Sequence, residues 1–292
     1  MIYRVLHETV YDYPRDVAIS HNLAHLTARE TPSQSRLSHK LTVSVHPAVW
    51  IDQLDFFGNP VTFFTIQEPH RGLKVSSLNV VEVQPPPPQD AKGSIPWEVA
   101  RQRLKEGRDP ASLDAYQFRF ESPLLKAYDW LSDYASASFS PGRPYVPALI
   151  DLTHRIYTDF KYDSTATSTS TPLTEVFKLR RGVCQDFAHL QIACLRSIGL
   201  AARYVSGYLQ TLPPPGRPRL IGADASHAWL SAYVPDLGWI DFDPTNDQIP
   251  QEKHVTLAWG RDYDDVSPIK GVILGGGRHS LKVAVDVAAV DG

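Results

Sequence analysis

Residues 180–190 read RRGVCQDFAHL, and Cys184 stands there two positions after a glycine, at the start of a run with helical spacing. A thiolate at a helix N-terminus is stabilised by the helix macrodipole and by unpaired backbone N–H groups, which lowers the pKa of the thiol. A cysteine in an apolar helix, however, is more often a small core residue. Gly182 permits either a close backbone approach or a positive φ just before the cysteine. The stretch therefore predicts either a nucleophile or a buried thiol.

The helix that begins near Cys184 carries apolar residues too densely for a surface helix, which predicts that it is mostly buried. Gly199 is expected to end it as the C′ residue. Cys194 lies among its apolar residues and is expected to be a core thiol. Ten residues on one helix separate the two cysteines by about 15 Å. A disulfide needs Cα atoms within about 7 Å, so none is expected between them.

The composition predicts a folded protein of one large domain or two, because 42% of its 292 residues are hydrophobic and 10% are aromatic. The net charge is −3 and Lys and Arg form no long runs, so nothing in the charge favours binding to nucleic acid or to an anionic membrane. The N-terminus lacks the pattern of a secretory signal, and the expected location is cytoplasmic. CxxC and HExxH motifs are absent, so we expect neither a metal nor another cofactor.

The first part of the chain, residues 1–84, is predicted to form an antiparallel β-domain. Its segments HKLTVSVHPAVW (39–50), VTFFTI (61–66) and LNVVEV (78–83) are strand-like, and FGNP (57–60) is typical of a turn. The proline-rich stretch PPPPQDAKG (85–93) is predicted to be a stiff linker. Residues 94–292 are then expected to form a second domain, which carries the cysteine.

In that second domain helical patterns come first and strand-like segments follow. Ser122 before Pro123 predicts a helix N-terminus for SPLLKAYDWLSDYA (122–135). Further helices are expected over 146–160 and from Leu173, with an exposed loop at 164–172 between them. Strands are expected over 201–211, 226–234, 239–243 and 280–287. GGG at 275–277 is typical of a turn rather than of a phosphate loop, because no helix follows it.

The segment SHAWLSAYVPDLGWIDFDPT (226–245) reads as two strands joined by a turn at Pro235. A register centred on that proline places His227 directly opposite Asp243, with Cβ atoms about 5 Å apart. The imidazole can then donate one N–H to the carboxylate and turn its other nitrogen toward a thiolate. A slip of one residue would move Asp243 to the other face, and Asp241 would take part only in a different register. Taken singly, His227 can also be a surface residue, and Asp243 can cap a turn.

Several segments resemble the transglutaminase-like superfamily: RRGVCQDFAHL, LRSIGLAARYVSGY (195–208), SHAW (226–229) and GWIDFDPTND (238–247). SHNLAHLTARETPSQ (20–34) and DFFGNPVTFFTI (55–66) resemble the β-rich N-terminal region of its bacterial two-part members. The resemblance implies the α+β class, with a papain-like core in which the cysteine helix packs against an antiparallel sheet. It also implies that Cys184 is the nucleophile, His227 the base and acid, and Asp243 the carboxylate that orients the histidine.

The chemistry implied by this resemblance is acyl transfer through a thioester on Cys184. The backbone N–H of Cys184 is a natural oxyanion donor, and Gln185 and Tyr162 are candidates for the second donor. Trp229 and Trp239 are candidates for the walls of a substrate groove, although core packing is the commoner role of such residues.

Three functions remain open at this stage. The first is a cysteine peptidase or amidase that hydrolyses a peptide or isopeptide bond, and the second is a protein-crosslinking transferase. The third is a non-enzymatic binding module on the same fold. The expected partner is a peptide or protein substrate, and a homodimer is compatible with the β-domain.

Calcium, which animal transglutaminases use, finds little support in this sequence. DYDD (262–265) has no liganding-loop pattern with a terminal glutamate, so a solvated loop is expected there. His189 is expected to be structural rather than a metal ligand, because it lies off the helical face of Cys184.

Overall fold

A computed structural model describes residues 1–86, 93–107, 109–211 and 226–290 of the chain. The helices of these ranges are α1 (Trp97–Glu106), α2 (Pro110–Tyr116), α3 (Asp129–Ser136), α4 (Tyr145–Asp159), α5 (Leu173–Leu179), α6 (Cys184–Ser197) and α7 (Tyr263–Val266). The strands are β1 (Ile2–Ala24), β2 (Gln34–Val43), β3 (Val49–Leu54), β4 (Pro60–Ile66), β5 (His70–Val83), β6 (Lys161–Tyr162), β7 (Arg181–Gly182), β8 (Ala202–Leu209), β9 (Ser226–Val234), β10 (Gly238–Phe242), β11 (His254–Gly260), β12 (Ile269–Gly275) and β13 (Ser280–Val290).

The N-terminal part of the chain forms an antiparallel sheet with the strand order β2-β5-β1-β4-β3, as the sequence predicts. The long strand β1 pairs with β5 through Ile2–Asp12 and with β4 through Ser20–Ala24. Its pairing with β5 is irregular between Asp12 and Val17, so the two ends of β1 serve different parts of a curled sheet. β1 is thereby the central strand of the N-terminal sheet.

The last two strands also belong to this N-terminal sheet. β13 pairs with the first half of β1, where Val5 faces Val287, and β12 pairs with its second half. Val285 and Val287 are buried in the hydrophobic core that also contains the central residues of α4 and α6. The expectation that residues 94–292 form one separate domain is therefore corrected for residues 269–290. The predicted linker at 85–93 falls mostly on residues outside the described ranges.

The second sheet has the order β10-β9-β8-β11, with antiparallel pairing throughout. Helix α6 packs against β9 and β8 of this sheet. Its residues Leu190, Ile192, Cys194 and Leu195 are buried in the main core. The predicted arrangement, a cysteine helix on an antiparallel sheet, is confirmed, and both cysteines are free thiols.

The C-terminus of α6 shows why the helix stops where the sequence predicts. Gly199 has a φ of +82°, a conformation that costs glycine little. Its N–H donates to the carbonyl of Arg196 and the N–H of Leu200 donates to that of Leu195, each at 2.9 Å. These two bonds form a Schellman motif, which satisfies carbonyls at the helix end.

The helix predicted to start at Ser122 begins instead at Asp129. Ser122 and Leu125 exchange backbone hydrogen bonds of 3.0 and 3.2 Å and form a turn. The N–H of Leu124 donates to the buried carboxylate of Asp262, at 2.9 Å. The Ser-Pro signal was misleading because tertiary contacts fix this segment in a turn.

Two smaller elements lie at residues 262–266 and 275–277. Residues 263–266 of the acidic stretch form the short helix α7, and Asp262 caps it through a 2.9 Å bond from the N–H of Asp264. The predicted solvated loop is thus wrong, since Asp262 is fully buried. The GGG run lies at the connection between β12 and β13. Among the described residues, no helix is long and apolar enough to span a bilayer.

Candidate active site

Cys184 is the first residue of α6 and is half-buried. The start of the helix is fixed by Asp186, whose Oδ2 accepts a hydrogen bond from the N–H of Val183 at 2.8 Å. A Cβ on Gly182 would lie 2.6 Å from that same Oδ2. Of the two reasons that the sequence offers for this glycine, the close approach is therefore the one that the structure uses.

The first turn of α6 also anchors the polar loop at 164–172. The hydroxyl of Thr167 donates to Oδ2 of Asp186 at 2.6 Å, and Nε2 of Gln185 donates to the carbonyl of Thr169 at 3.1 Å. Gln185 is buried. Its amide is thus directed at the loop, and the structure gives it an anchoring contact rather than the expected position of an oxyanion donor.

The hairpin that carries His227 differs from the predicted register by two residues. Trp239 pairs with Tyr233 and Phe242 with Leu230, so the turn is centred on Asp236 and not on Pro235. Asp236 has a φ of +71°. A shift of two residues keeps every side chain on its predicted face. The residue directly opposite His227 is therefore not Asp243, but the two side chains still share a face.

His227 and Asp243 are joined by a hydrogen bond of 2.8 Å between Nε2 and Oδ2. Cys184 lies near enough to raise the pKa of this imidazole, and Nδ1 is the ring nitrogen that does not bind Asp243. Burial by itself lowers the pKa of His227. The contacts with Asp243 and with the sulfur of Cys184 outweigh that effect and raise the pKa to about 10. The structure therefore joins the imidazole to the carboxylate, and Cys184 acts on the same imidazole from nearby.

Asp243 has no solvent exposure and is saturated with hydrogen-bond donors. Its Oδ1 accepts from the N–H groups of Thr245 and Asn246 at 3.0 and 3.3 Å. Its Oδ2 also accepts from the side-chain amide of Asn246 at 2.7 Å. Burial alone raises the pKa of this carboxyl, but the bonds from His227, His254 and Asn246 hold it well below its usual range. The carboxylate is thus kept ionised by its partners.

A second histidine, His254, reaches the same carboxylate and was missed in the sequence. Its Nε2 lies 3.0 Å from Oδ2 of Asp243. His254 is the first residue of β11, opposite Leu209 of β8. The alternation in HVTLAWG (254–260) is a signal for a strand, but nothing in the sequence shows which strand it pairs with.

Of the two tryptophans predicted near the site, Trp229 is buried and Trp239 is half-buried. Trp229 is fully buried and donates its Nε1 hydrogen to Asp241 at 2.8 Å. Trp239 packs edge-on against Phe118, with ring centroids 5.3 Å apart, and under the guanidinium of Arg203. The expectation that Trp229 walls a substrate groove is wrong because it has no surface. For Trp239 the structure supports the packing role.

Tyr162 lies beside the candidate nucleophile. It is paired with Gly182 through the short parallel bridge of β6 and β7, and 54% of its surface is exposed. Partial burial, together with the charge of Cys184, raises the pKa of its hydroxyl. The hydroxyl is thus protonated at neutral pH and lies within the electrostatic influence of Cys184.

His189 has a structural environment. Its Nε2 accepts a hydrogen bond from the N–H of Tyr263 at 3.2 Å, and its ring lies against Tyr204 with centroids 5.0 Å apart. Burial lowers the pKa of this imidazole to about 4. This buried side chain connects α6 with α7.

In the described ranges one group of His, Cys, Asp and Glu side chains has the proximity of a metal site. It consists of His227, Asp243 and His254, whose ligand atoms lie within 4.8 Å of one another. The two N–O distances, 2.8 and 3.0 Å, are those of hydrogen bonds. A cation at this point would have to displace the shared protons. The expectation of no metal remains a prediction.

Two family models match this chain. Residues 136–244 match the family model of the transglutaminase-like superfamily, and residues 3–82 match the bacterial transglutaminase-like N-terminal region. An uncharacterised protein of Mycobacterium tuberculosis is 44% identical over 298 aligned positions, which cover 99% of this chain and 93% of that protein.

The chain belongs to the transglutaminase-like superfamily. A Mycobacterium leprae protein of uncharacterised function is 32% identical, with 97% of each chain covered. A solved structure from Cytophaga hutchinsonii, proposed to be a cysteine protease, superimposes with a TM-score of 0.78. The alignment covers 100% of this chain and 91% of that one at 23% identity, which supports the shared fold.

Proposed function

We propose that this transglutaminase-like protein cleaves peptide or isopeptide amides by acyl transfer through a thioester on Cys184. The observation that carries the proposal is the bond from His227 to the buried Asp243, made by an imidazole whose pKa the nearby Cys184 also raises. A nucleophile next to a base that a third group orients is the arrangement of covalent acyl-transfer enzymes. The position of Cys184 at the first residue of α6 adds the favourable field of the helix N-terminus.

In the proposed reaction the Cys184 thiolate attacks the carbonyl carbon of an amide, and a C–S bond forms. The protonated imidazole of His227 gives its proton to the leaving amine as the C–N bond breaks. The thioester then remains on Cys184. Water, or a second amine, attacks the thioester with His227 as base, and the thiolate is restored. Asp243 acts through His227 and is a positioning residue rather than a catalytic one.

Two donors near Cys184 are suited to stabilise the oxyanion of the tetrahedral intermediate. The backbone N–H of Cys184 is among the first of α6, which have no partner within the helix. The hydroxyl of Tyr162 is the second candidate, because it is exposed beside the sulfur. Loss of one oxyanion donor typically costs about 2.7–4 kcal/mol of transition-state stabilisation. We therefore assign this role to Tyr162 in preference to Gln185.

Hydrolysis is the preferred outcome, and amine transfer is the second candidate. The second candidate is favoured by a local similarity to a protein-glutamine gamma-glutamyltransferase of Pseudomonas aeruginosa, 35% identical over 99 residues. That match covers only 32% of this chain and 15% of the relative. The predicted cytoplasmic location and the predicted homodimer remain predictions.

A peptide screen with mass-spectrometric detection tests the proposal. The protein is incubated with a mixed peptide library, with and without a primary amine such as cadaverine. Shortened or deamidated peptides in both arms indicate hydrolysis, and cadaverine adducts indicate transfer.

The matched controls are Cys184→Ala, which removes the proposed nucleophile, and Cys194→Ala, which removes the buried thiol of the same helix. Activity is expected to disappear in the first and to persist in the second. An activity that survives in Cys184→Ala would contradict the thioester mechanism. Failure of every peptide together with an unreactive Cys184 would instead favour a binding module.

A further inference from the structure

His254 shares the carboxylate oxygen that holds His227. Oδ2 of Asp243 accepts from Nε2 of His227 at 2.8 Å and from Nε2 of His254 at 3.0 Å. Both imidazoles are at least nine-tenths buried, and their ring centroids lie 5.9 Å apart. One ionised oxygen therefore binds two imidazole N–H groups in an environment with little access for water.

The proton of His254 can be placed from its surroundings. Its Nδ1 atom is buried and has no hydrogen-bond partner among the described residues. A proton on that nitrogen would be an unsatisfied buried donor, which is costly. A proton on Nε2 has the carboxylate of Asp243 as its acceptor. The favoured tautomer of His254 is thus the one that donates to Asp243.

The ring of His254 is held in this orientation by Trp229, which also lies against His227 with ring centroids 5.9 Å apart. Trp229 packs edge-on against His254, with centroids 5.1 Å apart, and its own Nε1 donates to Asp241. His154 binds Asp247 at 2.7 Å rather than Asp243. The groups that bond directly to the Asp243 side-chain oxygens are His227, His254, Asn246 and the N–H of Thr245.

We infer that His254 is a positioning residue, which donates to Asp243 and thereby limits how strongly that carboxylate holds the proton of His227. The inference rests on the proposed function, in which His227 must release that proton to the leaving amine. A carboxylate that serves two imidazoles has less negative charge to offer each of them. Without His254 the proton would be held more tightly, and its transfer to the leaving group would be slower.

An NMR titration of ring-labelled histidines tests this without a substrate. In the Cys184→Ala background, the pKa of His227 is compared between the variants His254→Leu, which cannot donate, and His254→Gln, whose amide can. We expect His254→Leu to raise the pKa of His227 by roughly one unit, which corresponds to a tenfold change in proton affinity. His254→Gln is expected to restore most of the original value. An unchanged pKa in His254→Leu, or equal effects of both variants, would overturn the inference.

A second measurement does not depend on whether a His254 variant folds. In the otherwise unaltered protein, the ¹⁵N spectrum of His254 is expected to show the proton on Nε2, and a proton on Nδ1 would contradict the inference directly. His7→Leu is the matched control, since His7 is also buried but contacts Thr9 and Tyr208 instead. It should lower stability without moving the titration of His227.

Failure of the proposed function remains distinguishable from failure of this inference. The rate at which iodoacetamide alkylates Cys184 in the otherwise unaltered protein at pH 6 reports on the nucleophile alone. In His254→Leu we expect that rate to lie within about twofold of the rate in the unaltered protein, because His227 holds its proton more firmly and remains an imidazolium. For the same reason kcat for any acyl donor should fall by about tenfold with KM little changed. A kcat equal to that of the unaltered protein would count against the role of His254.

Discussion

Nε2 of His227 lies 2.8 Å from Oδ2 of Asp243, a carboxylate with no solvent exposure. The bond places the proton of that nitrogen on the carboxylate side and leaves Nδ1 for Cys184. It also makes each partner dependent on the other, because a buried charge without its partner typically costs about 3–5 kcal/mol. Orientation of the imidazole and stability of this part of the fold are thus coupled in one contact.

Replacement of Asp243 by Asn should leave the fold largely intact but remove the correct orientation of the imidazole. In a serine protease the equivalent change lowers kcat by about 10⁴-fold, and we expect a loss of that order here. The measurement is kcat with the acyl donor found in the peptide screen. Asp241→Asn is the control, since Asp241 contacts Trp229 rather than His227. Equal losses in both variants would show that Asp243 has no special role.

The pH dependence of stability should carry the signature of His227. Burial opposes the effect, yet Asp243 and Cys184 raise the pKa of His227 from 6.5 to about 10. A raised folded pKa contributes stability that is complete below 6.5 and is lost as the pH rises through the folded value.

The comparison is made in Cys184→Ala, where no thiol proton compensates and Asp243 still raises the pKa of His227. The Tm of Cys184→Ala is compared with the Tm of the double variant that also carries His227→Gln, by thermal unfolding followed by circular dichroism. The difference between the two should be largest below pH 6.5. The difference should shrink as the pH rises above 6.5. A difference that grows with pH would have the wrong sign.

Gly182→Ala should damage the N-terminus of α6. The added Cβ would lie 2.6 Å from Oδ2 of Asp186 and 2.9 Å from its Cβ, so Asp186 has to move and release the N–H of Val183. We expect a loss of about 1–3 kcal/mol in the free energy of unfolding and slower alkylation of Cys184. The control is Gly72→Ala, where the nearest atom within reach is 3.8 Å away. Urea unfolding that shows equal costs for both would contradict this packing argument.

The pairing of β13 with β1 makes the C-terminal residues part of the fold. Val285 is 1% exposed and belongs to the main core, whereas Val283 on the same strand is 51% exposed. An unpaired charge in the core is strongly destabilising, so Val285→Asp should cost about 3 kcal/mol or more. Val283→Asp should change the free energy of unfolding by about 0.5 kcal/mol or less. Similar unfolding curves for the two variants would show that β13 is not packed as described.

Much of the candidate site could be predicted from local sequence patterns. The start and end of α6 are predictable because Gly182, Cys184 and Gly199 are local signals of a helix boundary. The shared face of His227 and Asp243 also follows from strand periodicity, and the two-residue error in register left it intact. Predictions of this kind depend on residues close together in sequence.

Features that depend on the pairing of strands far apart in sequence could not be predicted. His254 reaches Asp243 because β11 pairs with β8, and Val287 lies opposite Val5 because β13 pairs with β1. Trp229 was misjudged since β9 is covered on both faces, where burial no longer alternates with position. Ser122 failed as a helix start because the neighbouring N–H of Leu124 binds Asp262.

If Cys184 is the nucleophile that His227 assists, the two thiols of α6 should differ in reactivity. Burial raises the pKa of Cys194, which supplies an internal reference on the same helix. At pH 6 iodoacetamide should alkylate Cys184 about 100-fold faster than Cys194, as read from the two tryptic peptides by mass spectrometry. His227→Ala should lower the rate at Cys184 by about tenfold or more, and unfolding in urea should equalise the two thiols. Equal rates in the folded protein, or a Cys184 rate that does not change in His227→Ala, would contradict the account.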